Sequence, residues 1–374
     1  MNTHIDASLS ALPQADPARR LRRHESTLLS VMQEVLRKGH YVLGPAVAGF
    51  ESAFADYLGV AHCIGVNSGT DALALALRAG GLPVGGEVIV PALTAAGTAA
   101  AVVQAGGVPV LADVDARTRN LDPAAVNAAI TPRTAGIVVV HLHGIPADVL
   151  ALASLASRRG LLLIEDCAQA HGAIVAGRRV GSFGHAAAFS FYPTKNLGGL
   201  GDGGAVVTGD SRLASRVAAL RNYGWQDSAR ISGEASGNSR LDELQAAVLA
   251  VLLPHLDAEN ARRVRLANEW REALAPAAVG LPPSTEGAVY HQFAITLMAR
   301  DAVRAQLARA GVATAIHYPV PLHRQPAFAS GQRGALPVAE HLAGTLLSLP
   351  IQPEVAEGQV ERVAALIHEA LAAG

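Results

Sequence analysis

Lys195 is one of only two lysines in the chain, the other being Lys38, although lysine and arginine together number 30. It lies just before residues 198–204, where five of the seven positions are glycine. Arginine can replace lysine in most salt bridges, but a guanidinium stays charged and cannot attack a carbonyl. A lysine amine can do so when its surroundings lower its pKa from about 10.4. Lysine at this position therefore indicates a nucleophilic amine beside a glycine-rich turn.

The glycine run formally matches the pattern GxGxxG over residues 199–204. A dinucleotide-binding loop of this type opens a helix, whereas this run leads into the strand-like segment AVVTGD, residues 205–210. A P-loop is also disfavoured, because Lys195 precedes the glycines and no GK[ST] follows them. A nucleotide-cofactor loop is therefore the minor interpretation of this run.

A second candidate site begins where a strand ends at Val66 and the residues Asn67, Ser68, Gly69 and Thr70 open an amphipathic helix. The free backbone N–H groups at a helix start attract phosphate, and the helix dipole adds to this attraction. The hydroxyls of Ser68 and Thr70 would add donors. Alternatively, one of these hydroxyls serves only as the N-cap of the helix. The sequence leaves both interpretations open.

Two adjacent carboxylates, Glu165 and Asp166, end the buried strand segment LLLIED. Neighbouring residues of a strand point to opposite sides. We therefore expect one carboxylate to meet solvent or a salt bridge and the other to enter the site as a charge partner. A carboxylate in a cleft needs a cation or hydrogen bonds to be tolerated.

Two histidines, His141 and His143, lie on one face of the strand segment VVVHLHG. Histidines at this spacing can bind a metal ion. No third ligand is evident in the sequence, so we interpret them as structural residues and predict no metal site.

Three groups that follow separate strands together match the needs of one cofactor, pyridoxal 5′-phosphate (PLP). PLP requires a lysine that forms a Schiff base, an acid against its pyridinium nitrogen and a cup for its phosphate. Lys195, the Glu165–Asp166 pair and the helix start after Val66 would supply these groups. The sequence therefore indicates a PLP enzyme.

The segments that position these groups alternate between short β-branched runs and Ala/Leu-rich helical runs from about residue 60 to 210. Apolar strands that hardly alternate are buried on both faces, and strands separated by helices form a mainly parallel sheet. We predict an α/β fold with helices on both sides and ligands beyond the carboxyl ends of the strands. The predicted parts are a loose N-terminal arm (1–20), a large PLP-binding α/β domain (21–244) and a smaller C-terminal α+β domain (245–374).

Composition argues against several other function classes. The formal net charge of −1 gives no reason to expect a nucleic-acid partner. Cys63 and Cys167 form no disulfide framework, so a reducing, cytoplasmic location is expected. No apolar segment follows RRLRR at residues 19–23, so no secretory signal is predicted. The uncharged run at residues 88–112 could span a membrane by length, but its prolines and glycines indicate strands and a helix of a soluble core.

Most of the chain, from about residue 40 to 350, resembles the DegT/DnrJ/EryC1/StrS aminotransferases, which are fold-type I enzymes that aminate nucleotide-linked keto sugars. The matching segments occur in the family's order and include VNSGTDALALAL, IEDCAQAHGA, GSFGHAAAFSFYPTKNLGGLGDGGAVV, GNSRLDELQAA and IHYPVPLHRQPAF. The resemblance implies a nucleotide-sugar substrate and an amino-acid donor, for which we expect L-glutamate. It also implies a homodimer with shared active sites.

The resemblance assigns the reacting end of PLP to three residues. Lys195 would bind PLP through its amine and later move protons during the reaction. Asp166 would pair with the pyridinium nitrogen and keep it protonated. Gln169 would hydrogen-bond the ring hydroxyl.

The resemblance also assigns the phosphate and the substrate. The residues that would hold the phosphate are Gly69, Thr70 and Ser190. Asn238 would reach the phosphate of the neighbouring subunit's cofactor. Tyr318 and His323 would lie near the sugar and its diphosphate.

The family comparison leaves the exact reaction open. Relatives with histidine at the lysine position are dehydratases, so Lys195 favours transamination. The segment KNLGGLGDGG resembles members that aminate C3 of dTDP-3-keto-6-deoxy sugars, whereas C4 enzymes more often carry K(N/T)ITTGEGG. Amination at C3 is therefore predicted, with C4 amination of a nucleotide-linked 4-keto-6-deoxyhexose or a PLP-dependent sugar dehydration as alternatives. A non-catalytic protein of this fold is a third hypothesis, which the intact lysine, aspartate and phosphate motifs oppose.

Ala95 is one departure from the family pattern. Many members carry an aromatic residue there, which stacks on the PLP ring. Another residue of this chain must cover the ring face, or the ring is less covered.

Overall fold

The computed structural model describes residues 11–372, with a seven-stranded sheet at the centre. The strands in chain order are β1 His62–Val66, β2 Glu87–Pro91, β3 Val108–Ala112, β4 Thr134–Val140, β5 Leu162–Asp166, β6 Ile174–Val175, β7 Arg178–Arg179, β8 Ala186–Ser190, β9 Gly204–Thr208, β10 Phe293–Thr296 and β11 Leu346–Leu349. The central sheet has the order β1-β9-β8-β5-β4-β2-β3, while β6–β7 and β10–β11 form separate two-stranded sheets.

The direction of the strands brings their ends to a common edge. Only β9 runs against its neighbours, because its pairs with β1 and β8 are antiparallel and the other pairs of the central sheet are parallel. The carboxyl ends of β1, β2, β4, β5 and β8 therefore lie at one edge, where β9 begins. We call this the site edge.

Helices cover both faces of the sheet. The helices in chain order are α1 Pro17–Arg22, α2 Glu25–Lys38, α3 Pro45–Leu58, α4 Gly69–Ala79, α5 Ala96–Gln104, α6 Pro123–Ala129, α7 Val149–Arg159, α8 Ser211–Leu220, α9 Glu243–Leu252, α10 Leu256–Leu274, α11 Arg300–Arg309, α12 Pro337–Thr345 and α13 Gln359–Ala372. In β4, Val138 and Val140 join the core under α4 and α5, whereas Ile137 and Val139 join the core under α6 and α7. Burial on both faces explains why the strand sequences hardly alternate, and the predicted mainly parallel α/β fold is confirmed.

A second core lies in the C-terminal part of the chain. Helices α10, α11 and α13 pack around β10 and β11, with Trp270 stacked on Phe293. Helix α9 shares its core with α2 and α3 instead. The change from one core to the other therefore falls at α10, later than the predicted boundary between residues 244 and 245.

Residues 11–20 differ from the loose arm predicted for residues 1–20, of which residues 1–10 lie outside the described part. Leu12 is buried and pairs with Val312, and α1 begins behind Asp16, whose carboxylate accepts from the backbone N–H of Arg19. Arg20 is only 5% exposed. Composition gave no indication of this packing, because backbone pairing at Leu12 and hydrogen bonds from single side chains hold the segment, rather than an apolar helix face.

The uncharged run at residues 88–112 forms β2, α5 and β3, as the sequence predicts. Among the helices of residues 11–372, none combines the length and the apolar character that crossing a membrane requires.

Candidate active site

Lys195 lies in a compact turn between β8 and β9, which we call the lysine turn (residues 191–199). Its backbone N–H donates to Tyr192 O at 2.8 Å, and the Gly199 N–H donates to Phe191 O at 2.8 Å. Glycine is required at position 198, because a Cβ there would lie 2.7 Å from the Tyr192 carbonyl oxygen. Glycine at position 198 thus allows the backbone to form this tight turn. The glycine run continues into β9 and not into a helix, as predicted.

The carboxylate of Asp166 lies at the end of β5 and is within electrostatic range of Lys195. Asp166 Oδ2 accepts from Thr98 Oγ1 at 2.9 Å, and Oδ1 accepts from the Ala168 N–H at 3.1 Å. Burial raises the pKa of Asp166 despite these hydrogen bonds. A nearby cationic donor would stabilise the charged form of a buried carboxylate whose pKa is raised.

Burial shifts the pKa of the Lys195 amine downward, opposite to its effect on the Asp166 carboxylate. Burial lowers the pKa of Lys195 to about 8, although the Asp166 charge acts to raise it. Three histidines near the amine, of which His171 and His291 are buried and His317 is half-buried, do not add charge at neutral pH. Burial lowers the pKa of His171 to about 3, that of His317 to about 4 and that of His291 well below its usual range. An amine of this kind is available as a nucleophile and proton carrier.

The amine of Lys195 is expected to react with acetic anhydride at pH 7 much faster than that of Lys38 in PLP-free protein. An amine of pKa about 8 is roughly one-tenth unprotonated at pH 7, against about 0.04% for an ordinary lysine. Labelling of Lys195 should reach half its maximum near pH 8 and level off about one pH unit above that, and the exposed Lys38 serves as the internal reference for the reagent. Peptide mass spectrometry measures both lysines in one sample. Labelling of Lys195 that does not level off in this way would contradict the prediction.

The start of α4 lies beside the end of β8. Ser68 is the N-cap, and its hydroxyl accepts from the Asp71 N–H at 3.1 Å. The N–H groups of Gly69 and Thr70 belong to the first turn and have no partner within the helix. A Cβ on Gly69 would lie 2.7 Å from Ser190 Cβ, so glycine lets this helix start approach Ser190. Ser68 thus caps the helix, while Gly69, Thr70 and Ser190 form a small cup.

Gln169 connects two other parts of the site. Its Oε1 accepts from the His143 N–H at 2.7 Å, and its Nε2 donates to the Tyr318 hydroxyl at 3.0 Å. Burial first, and then the Asp166 charge, raises the pKa of Tyr318 to about 12, so its hydroxyl stays protonated. The structure therefore brings Tyr318, from the C-terminal part, to the same edge as Asp166.

Two predicted residues have other surroundings in the single chain. Asn238 is exposed at an isolated bridge with Asn222. His323 is buried, and its Nε2 lies 2.9 Å from Glu340 Oε1. Their predicted roles therefore remain proposals about a second subunit and a substrate.

Thr98 is a site residue that the sequence reasoning missed. It lies one helical turn after Thr94, and their hydroxyl oxygens are 3.1 Å apart. A pair of threonines four residues apart, at the start of the helix after β2, is a signal that could have identified it. Ala95, between them in sequence, is the N-cap residue of α5 and places only a methyl group there.

Glu165 has a structural role, in contrast to its neighbour Asp166. Its carboxylate accepts from the N–H groups of Gly181, Phe183 and Gly184, each at 2.8 Å, and contacts the His141 ring at 3.2 Å. The His141 Nδ1 accepts from the Ala147 N–H at 3.0 Å, so its Nε2 carries the proton toward Glu165. Both ring nitrogens are therefore engaged, although His141, Glu165 and Cys167 are close enough to hold a metal ion.

Glu165→Gln is expected to lower the free energy of unfolding by about 3 kcal/mol, because it removes a buried charge from three backbone donors and a histidine. Burial raises the pKa of Glu165, but its hydrogen bonds with His141 and the backbone outweigh burial and hold it below 4.5. The stabilisation is thus present above that pH and lost as the pH falls through the lowered pKa. Urea unfolding at pH 7 and pH 3.5 measures this, with exposed Glu357→Gln as control. An unchanged midpoint at pH 7 would exclude the role.

The fold and the site define a class, the fold-type I transferases, in which a lysine and an aspartate from separate strands meet at the carboxyl edge of a mainly parallel sheet. The chain belongs to the DegT/DnrJ/EryC1/StrS aminotransferase family, whose sequence profile matches residues 23–368.

Several relatives are similar over nearly the whole chain. The chain is 49% identical over 347 residues to the dTDP-3-amino-3,4,6-trideoxy-alpha-D-glucose transaminase of Streptomyces venezuelae, covering 91% of each protein. It is 45% identical over 366 residues to the UDP-N-acetyl-3-dehydro-alpha-D-glucosamine 3-aminotransferase of Acidithiobacillus ferrooxidans, covering 97% of this chain and 98% of that one. Among solved structures, NtdA from Bacillus subtilis with bound cofactor PMP matches with a TM-score of 0.91 at 30% identity, covering 98% of this chain and 86% of NtdA.

Proposed function

We propose that this protein is a PLP-dependent transaminase that moves an amino group from L-glutamate to C3 of a nucleotide-linked 3-keto sugar, with a dTDP-3-keto-6-deoxyhexose as the expected acceptor. The observation that carries the proposal is the Lys195 amine, whose pKa is about 8, beside the buried Asp166 carboxylate at the site edge. The two relatives named above share the 3-amino position and differ in the nucleotide. C4 amination and dehydration remain alternatives that no contact in this site favours.

The residues at the site edge fit PLP. The cup formed by Gly69, Thr70 and Ser190 combines free backbone N–H groups with two hydroxyls, which suits a phosphate. The Asp166 carboxylate is buried with a raised pKa and suits a protonated ring nitrogen. The Lys195 amine has the lowered pKa that attack on an aldehyde requires.

PLP, when bound, supplies an electron sink that stabilises negative charge on a carbon that has lost a proton. Asp166 holds a negative charge where the ring nitrogen would carry its proton. Lys195 takes up and releases protons near neutral pH because its pKa lies near 8. Gln169 donates one Nε2 hydrogen to Tyr318, and its second hydrogen is the donor we assign to the ring hydroxyl.

The active unit in this proposal is a homodimer with shared sites. Asn238 is exposed and therefore accessible to the phosphate of a second subunit's cofactor. Tyr192 in the lysine turn exposes 51% of its surface, an amount that a partner subunit would cover. Tyr318 and His323 are proposed to contact the sugar and its diphosphate.

Gly69→Ala is expected to weaken PLP binding at least tenfold, because the new methyl group would lie 2.7 Å from Ser190 Cβ and open the cup. A tenfold loss corresponds to about 1.4 kcal/mol. The measurement is a PLP titration of PLP-free protein followed by visible absorption. Gly49→Ala is the matched control, since a Cβ at that helical glycine meets nothing within 4 Å. Equal affinity for PLP in both variants would rule out this cup.

Incubation with L-glutamate tests the function directly. PLP-loaded protein should convert to the pyridoxamine form. The protein in this form should then aminate dTDP-3-keto-6-deoxyglucose faster than it aminates the 4-keto isomer of that sugar nucleotide. Mass spectrometry of the sugar nucleotides distinguishes an added amine from loss of water. Loss of water without glutamate would instead assign the protein to the dehydratases.

A further inference from the structure

The lysine turn is held from outside by a residue near the start of the described chain. Arg20 Nη1 donates to Lys195 O at 3.0 Å and to Asn196 O at 3.1 Å, and its Nη2 donates to Gly198 O at 2.9 Å. One guanidinium thus binds three carbonyls within four successive residues. Arg20 is almost entirely removed from solvent. Its contacts with Asn196 O and Gly198 O are buried, and its contact with Lys195 O is partly buried.

The three carbonyls need a cation in this conformation. Buried carbonyl oxygens are almost always paired, and three that converge on one point repel one another unless a donor lies between them. The planar fork of arginine satisfies several acceptors at once, whereas a lysine ammonium is a compact charge without that geometry. Without Arg20, the backbone at residues 195–198 would therefore be expected to relax.

The guanidinium is itself held in place. Its Nε lies 3.9 Å from Glu259 Oε2, and it extends from α1, which begins at Pro17 behind the Asp16 cap. The segment before α1 is tied down by backbone bonds between Leu12 and both Gly311 and Ala313.

The Asn196 side chain provides a second attachment of the turn. Asn196 Nδ2 donates to Asn260 Oδ1 at 2.8 Å, and Asn196 Oδ1 lies 3.0 Å from His291 Nδ1. The turn is thus clamped through its backbone by Arg20 and through one side chain by α10.

We propose that Arg20 is a positioning residue for Lys195: its hydrogen bonds to the carbonyls of the lysine turn fix the backbone from which the Lys195 amine reaches the site edge. This inference rests on the proposed function, in which Lys195 is the reacting amine. Arg20 touches neither substrate nor cofactor in this role and acts only through the turn.

Competitive acetylation of the full-length, PLP-free protein tests the proposal between pH 6 and 10. The variants are Arg20→Lys, which keeps the charge, Arg20→Ala, and Arg22→Ala as an exposed control in the same helix. We expect both Arg20 variants to lower the reactivity of Lys195 at pH 7 about tenfold, which corresponds to a rise of one pH unit in its midpoint. Lys38 in the same molecules should be unchanged, and Arg22→Ala should match the wild type.

Kinetics of the PLP-loaded variants provide a second measurement. The kcat with glutamate should fall about tenfold, or roughly 1.4 kcal/mol, while KM changes little, because glutamate does not contact Arg20. Wild-type behaviour of Lys195 in Arg20→Lys would overturn the proposal by showing that charge alone matters. A lowered Tm with wild-type Lys195 reactivity would overturn it in favour of a purely structural role. An ordinary midpoint for Lys195 in the wild type would instead contradict the proposed function.

Discussion

Lys195→Arg is expected to abolish transamination, with a loss of at least about 10³-fold in the glutamate half-reaction. Arginine keeps the positive charge and much of the length of the side chain but cannot lose its proton at working pH. The variant therefore removes the nucleophile and proton carrier while it retains the electrostatic partner of Asp166. Stopped-flow absorption of PLP-loaded protein mixed with glutamate measures the rate.

The chain offers a matched control for this substitution in its second lysine. Lys38 is exposed and forms an ordinary ion pair with Glu34 at 2.7 Å, four residues away on α2. Lys38→Arg should preserve both the rate and the yellow colour of the PLP-loaded protein. Borohydride treatment of the wild type should place the reduced PLP adduct on Lys195 and leave Lys38 unmodified. An adduct on Lys38, or full activity of Lys195→Arg, would refute the assignment.

Asp166→Asn is expected to slow the half-reaction about 10²–10³-fold, which is the usual cost of removing one well-placed electrostatic contact from an active site. Asparagine preserves the shape of the side chain: its carbonyl oxygen can still accept from the Ala168 N–H, and its amide NH2 can donate to Thr98 Oγ1. It cannot hold a negative charge against a protonated ring nitrogen. Since burial raises the pKa of Asp166, the charge is a burden on folding, so the variant should unfold at a temperature no lower than the wild type.

Substitution of the neighbouring carboxylate, Glu165, is expected to affect stability and not the reaction rate. Glu165→Gln should lower stability, as described above, and leave the half-reaction rate of the folded protein within about threefold, a change below 1 kcal/mol. The two adjacent substitutions therefore separate chemistry from structure. A rate loss confined to Glu165→Gln would reverse the roles assigned to the two carboxylates.

Much of the sheet and part of the site could be predicted from sequence, because they rest on local signals. Apolar strand runs, the intervening helical runs and the residue types at strand ends place Lys195 and Asp166 at a common edge. The adjacent carboxylates remained ambiguous in sequence, since alternation along a strand says that two residues differ in direction but not which one enters a site. The tertiary contacts distinguish the two carboxylates: Thr98 donates to Asp166, whereas backbone amides at residues 181–184 donate to Glu165.

Arg20 shows why the remainder could not be predicted. The segment around it is polar and carries several arginines, and nothing in its composition distinguishes the buried one from the exposed Arg19 and Arg22. Its partners are backbone carbonyls, which have no sequence signature. Contacts of that kind can be identified only once the tertiary structure brings the two segments together.

The sequence separation between site residues has a consequence for folding. The Lys195 backbone closes its own turn locally, but the contacts from Thr98 to Asp166, from Gln169 to Tyr318 and from Arg20 to Lys195 O join residues 68, 149 and 175 positions apart. Distant contacts form only after the entropy of closing the intervening chain has been overcome. We therefore expect recovery of PLP binding during refolding to lag behind recovery of helix and sheet, so that cofactor uptake reports the completion of folding.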